Sequence, residues 1–124
     1  MDNFNLKPTG KSPDIKLNAE TGICEISGES FMENGIEFYD AIYDWFNEYA
    51  EQVKGNINLI LKLEYMNSSS LQHIYNLIVL LKKIKEGGLN VKVEWHYDDE
   101  EIDLEEDIED IALESGMEIG LIPI

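Results

Sequence analysis

Asn67-Ser68-Ser69-Ser70 places three hydroxyls and an amide between an alternating run that ends at Tyr65-Met66 and a helical pattern that begins at Leu71. Two kinds of chemistry suit such a cluster. An Asn or Ser ahead of a helix accepts hydrogen bonds from its free N–H groups, and such a cap contributes about 1 kcal/mol. One residue is enough for that, and here there are four. A serine in this position is also a modification site: phosphoserine brings about −1.5 to −2 charges and three acceptor oxygens. The positive end of a helix tolerates that anion, so the fold can stay while its surface changes. The residues by themselves leave capping and modification both open.

Other reactive side chains are scattered. His96 with Asp98 and Asp99 has the types of a general base or a metal site, yet a histidine at the exposed end of a strand explains it more simply. No nucleophile, base and orienting group occur together as covalent catalysis requires. A hydrolase built on His96 is therefore the weakest reading, and neither catalytic residues nor metal ligands nor a cofactor are assigned. Cys24 is a single cysteine inside the strand-like GICEIS and reads as a small buried hydrophobe. The acidic run from Asp98 to Glu114 lacks the register and central glycine of an EF-hand, and its apolar residues recur with helical spacing.

The elements around the serines follow from periodicity. Residues 1–13 contain Pro8, Gly10 and Pro13 and read as a loose N-terminal arm to a single domain spanning 1–124. Two short strands then flank a turn at about Ala19–Gly22, and GESFMEN reads as a loop. Tyr39, Ile42, Phe46, Tyr49 and Val53 recur every three or four residues, predicting a helix over Gly35–Val53, with Phe38 and Trp45 widening its apolar stripe. Ile57, Leu59, Leu61, Leu63 and Tyr65 alternate with polar residues, as do Leu89, Val91, Val93, Trp95 and Tyr97. Strands of this kind have one packed and one open face. Leu71, Ile74, Ile78, Leu81 and Ile84 mark the helix between them, and a right-handed parallel crossover is expected. Ile102 to about Met117 forms a third, acidic helix, and the apolar GMEIGLIPI is a further packed segment. The expected fold is α/β: a mixed four-stranded sheet, order ββαβαβα, with the helices on one face.

Composition narrows the partners. The chain has 124 residues and a formal net charge of −17, and all nine of its cations are lysines. Such a surface opposes nucleic acid and anionic membranes alike. Basic protein partners are its natural complement. The sequence shows no membrane span or signal peptide, so a cytoplasmic protein is expected.

Three segments in order, ISGESFMENGIEFYDAIYDWF, LEYMNSSSLQHIYNLIVLL and VKVEWHYDDE, resemble the SiaC family of bacterial regulatory phosphoproteins. The likeness spans about residues 7–115. It implies a STAS-like domain, similar in architecture to anti-sigma-factor antagonists. It implies a non-enzymatic switch whose phosphoacceptor falls on Ser68, directly after Asn67, with Ser69 the less favoured site. It further implies a serine/threonine kinase, a PP2C-like phosphatase and a diguanylate cyclase as partners. Asn67, Ser69 and Ser70 at the corner, the last two as helix caps, and Glu29, Ser30 and Phe31 in the loop are then the expected partner surface. Met32 stands where the family commonly has proline. The alternative is a constitutive binding module of the same fold, in which the serines only cap.

Overall fold

A computed structural model describes residues 1–124. Its elements run β1 (Phe4–Leu6), β2 (Asp14–Leu17), β3 (Ile23–Ser30), α1 (Ile36–Gln52), β4 (Ile57–Met66), α2 (Ser68–Glu86), β5 (Val91–Tyr97), α3 (Ile102–Ser115) and β6 (Ile119–Pro123). The six strands form one sheet in sequence order, antiparallel from β1 to β3 and parallel from β3 to β6.

Two of those strands correct the four-stranded expectation, and the order becomes βββαβαβαβ. Within the expected arm, Phe4, Asn5 and Leu6 pair with Leu17, Lys16 and Ile15. At the other end, Ile119 to Pro123 run parallel to Val93 to Tyr97. Both are edge strands of three and five residues, too short for alternation to announce them, and each leans on a neighbour for its register.

Consecutive parallel strands joined by crossovers of one hand place every helix on the same side of the sheet. Alternate residues of the strands therefore seal against α1, α2 and α3. Leu59, Leu61, Val93 and Trp95 meet Ile42, Phe46, Ile74, Leu81 and Ile108 in one continuous core. The opposite face stays open and polar, with Lys62 bridging to Glu25 at 3.3 Å and Lys92 to Glu94 at 3.1 Å. In the turn before β3, Gly22 has φ +73°, and a Cβ there would collide with the Asn56 carbonyl oxygen. Only glycine satisfies both demands.

One irregularity decides the surface of the serine corner. Cys24, Ile26 and Gly28 of β3 pair with Leu59, Leu61 and Leu63, but the next step matches Glu29 with Tyr65 and Ser30 with Met66. β4 thus carries one extra residue, a bulge at Glu64. Partners in adjacent strands share a face, so Tyr65 joins Glu29 on the open side instead of following Leu63 inward. Tyr65 is accordingly 49% exposed while Leu63 is buried.

Candidate functional site

At the carboxyl end of β4 the chain turns directly into α2, and Asn67 is the pivot. Its backbone is extended, and its side-chain oxygen accepts from the Ser70 N–H at 2.9 Å. Its backbone N–H donates to the Ser30 carbonyl at 3.0 Å, and its amide nitrogen donates to the Met32 carbonyl at 3.2 Å. One residue therefore caps a helix and pins the segment that follows β3.

The three serines have three separate fates. Ser68 is exposed on the first turn of α2, Ser69 is half-buried, and Ser70 is sealed. Ser70 and Ser69 do not cap; Asn67 does. The Ser70 hydroxyl instead turns into the core, where Ser30 Oγ donates to it at 2.6 Å. Ser30 has a single proton, so the 2.8 Å contact with Tyr39 is the phenol donating to Ser30. Burial pushes the Tyr39 hydroxyl above its ordinary pKa, with Ser30 and Ser70 drawing it partly back. The phenol stays protonated at neutral pH and the chain Tyr39–Ser30–Ser70 keeps its direction.

This geometry corrects the expected partner surface. Ser30 and Ser70 have no exposed area, so neither can touch a docking protein. Glu29 and Ser30 also end β3 and are not loop residues. The inward direction of Ser30 was legible, since it follows Cys24, Ile26 and Gly28 at every second position. Glu29 and Phe31 remain outside. Phe31 stacks on Tyr65 with ring centroids 4.6 Å apart, a pairing that pure alternation along β4 conceals.

Beneath α2, His73 stacks on Tyr39 at 4.9 Å, and the Tyr43 hydroxyl donates to the His73 carbonyl at 2.7 Å. These contacts dock the start of α2 on α1. Of the two aromatics that widen the apolar stripe of α1, Trp45 is buried with its indole N–H donating to the Asp2 carbonyl at 3.0 Å, and Phe38 is half-buried.

The remaining reactive residues lie elsewhere. His96 faces Glu94 on the open side of the sheet, Nε2 to Oε2 3.5 Å. It shares a groove with Glu25, Ser27, Lys62, Glu64, Asp98 and Glu101, but no hydrogen bond joins the Ser27 hydroxyl to His96, so no base is aligned on a nucleophile there. No three His, Cys, Asp or Glu side chains converge as a metal site would need. Cys24 is buried, and burial pushes its thiol up to about 12. A protonated, sealed thiol is neither nucleophile nor ligand. No helix is long and apolar enough to cross a membrane.

The site is thus an exposed hydroxyl at the start of a helix capped by Asn67, on a small α/β domain. The profile of the SiaC family regulatory phosphoproteins matches residues 6–124, and the chain belongs to that family. An uncharacterized protein of Pseudomonas aeruginosa (strain UCBPP-PA14) is 29% identical over 98 residues, 79% of this chain and 78% of the relative. The fold is that of solved SiaC structures. Apo-SiaC from Pseudomonas aeruginosa superposes with a TM-score of 0.90 at 24% identity, over 98% of this chain and 99% of that one. The same values hold for SiaC in a complex where it is the activator of the diguanylate cyclase SiaD. A further structure of SiaC of Pseudomonas aeruginosa gives 0.84 at 26% identity, over 100% of this chain and 98% of that one.

Proposed function

We propose that this protein is a phosphorylation-controlled binding switch of STAS-like architecture, with Ser68 as the modified residue. The observation that carries the reading is the exposed Ser68 on the first turn of a helix that has no acidic residue in that turn. A phosphate there meets free N–H groups and an uncompensated dipole, so the helix bears the new charge without unfolding. The effect falls on the partner: a surface that packed closely on the corner must now desolvate a dianion. Ser69 is the poorer acceptor, since its partial burial restricts the approach of an enzyme.

The switch needs a serine/threonine kinase, and a PP2C-like phosphatase to reset it. Since SiaC of Pseudomonas aeruginosa is solved as an activator bound to a diguanylate cyclase, a cyclase of that kind is the proposed effector here. It binds the unmodified form. The chain supplies no arginine to clamp its own phosphate, so release of the partner is the output.

Phosphopeptide mapping after incubation with the cognate kinase and Mg-ATP tests the assignment. Label is expected on the peptide containing Ser68 and is lost in Ser68→Ala. Label retained in that variant would reject Ser68. Partner binding unchanged in both Ser68→Ala and Ser68→Asp would leave a constitutive module of the same fold.

A further inference from the structure

The bulge at Glu64 creates a feature that a regular strand would have hidden. Tyr65 and Phe31 stack in the open, 49% and 36% exposed. Large aromatics presented this way are costly to leave in water and are common anchors of interfaces. Glu29 pairs with Tyr65 across the sheet, and exposed Glu64 precedes it in the bulge. The patch is tied to the serine corner, since Asn67 holds the carbonyls of Ser30 and Met32 on either side of Phe31. Lys11 touches Phe31 through its backbone carbonyl.

The geometry points to a docking site for an arginine side chain of a partner protein, seated on the Tyr65–Phe31 stack and paired with Glu29 and Glu64. A guanidinium is planar and weakly hydrated, so it stacks on an aromatic face while its edge N–H groups reach carboxylates. A lysine ammonium is compact and strongly hydrated, and gains less from that surface. The occupant cannot be a second copy of this chain, which contains no arginine. It is therefore a different, basic protein, consistent with the net charge of −17. This inference deepens the reading of Ser68 as a switch and rests on it for its consequence. Phosphate at Ser68, three residues beyond Tyr65, charges the corner on which the seated partner must pack, and the cost of desolvating that dianion releases it.

A titration of the full, unmodified chain followed by NMR tests the seat without the partner in hand. The probes are three short capped peptides of the form Gly-X-Gly-X-Gly, in which X is arginine, lysine or citrulline. Saturable shifts of the Phe31 and Tyr65 ring signals are expected with arginine, several-fold weaker with lysine and absent with citrulline. Tyr65→Ala should abolish them, and Phe31→Leu, which keeps an apolar side chain, should weaken them several-fold. Equal response to arginine and lysine, or shifts centred on the acids of α3 and untouched by Tyr65→Ala, would overturn the proposal. Ser68→Ala serves as the control that keeps the two ideas apart: it removes the phosphoacceptor but leaves this titration unchanged.

Discussion

Two strand-to-helix corners stand side by side at the carboxyl edge of the sheet, and they handle charge in opposite ways. The β4–α2 corner is capped by Asn67 through a real side-chain bond, and the first turn of α2 carries no acid. The β5–α3 corner begins at Glu101, whose side chain makes no capping bond, and Asp103 and Glu105 follow in the first turn. Here the turn is organised by Asp98, which accepts from the Glu100 N–H at 3.0 Å. The positive end of α3 is already compensated several times over. That of α2 is open to an anion yet to come. Between neighbouring helices of one acidic protein, this difference marks where an added phosphate is tolerated.

The comparison breaks first at Asn67. Asn67→Ala removes the cap, worth about 1 kcal/mol, and leaves the Met32 carbonyl without its donor, for a total of about 2 kcal/mol. Chemical denaturation should register that loss as a lower midpoint at unchanged slope. Asn67→Asp retains the acceptor for the Ser70 N–H and should lose only about half as much. The matching change in the other corner, Glu101→Ala, should stay within about 0.5 kcal/mol of wild type, since no bond is removed. Equal losses at both corners would erase the distinction.

Ser70 and Ser68 sharpen the same contrast within three residues. Ser70→Ala deprives Ser30 of its acceptor inside the core and should cost about 1–3 kcal/mol. Ser68→Ala touches only solvent and should be neutral within about 0.5 kcal/mol. A double-mutant cycle of Ser30→Ala with Ser70→Ala should show coupling, because the two hydroxyls share one bond. Additive losses would mean that the buried chain of hydroxyls contributes nothing as a unit.

The sequence carries much of this architecture, and the failures have identifiable causes. The three helices and the central strands β4 and β5 announce themselves because one face of each is continuously apolar. β1 and β6 escape since edge strands of a few residues, bonded on one side only, need no internal pattern. The serine cluster was visible as a corner, but its inner and outer residues were not separable by type. The expectation of Ser69 and Ser70 as caps on the partner surface beside Ser68 fails at Ser70, because helical rotation turns Ser70 to the core and Ser68 to water. Tyr65 misled for a different reason: alternation assigns it inward, and only the pairing with Glu29 reveals the extra residue in β4. A bulge leaves no mark in composition.

The smallest effect lies on α3 and concerns pH. Asp107 titrates above its ordinary range, chiefly through burial and then through the neighbouring Asp110 and Asp103. A carboxyl whose pKa is higher in the folded than in the unfolded chain binds its proton more tightly when folded. Its contribution is therefore favourable at low pH and is lost as pH rises from the ordinary carboxylate value through the raised one. At neutral pH Asp107 is a net cost. Asp107→Asn should consequently raise the thermal midpoint slightly at pH 7, and the gain should shrink as pH falls toward 4. Salt should shrink it too, by screening the three carboxylates. The same measurement on Asp103→Asn should give less, because that residue is exposed and sits beside the helix N-terminus, where a negative charge is favourable. A larger gain from Asp103 than from Asp107 would mean that repulsion alone, and not burial, sets the charge cost of this helix. The claim that α3 is saturated with anion at its start would then fail in its simplest form.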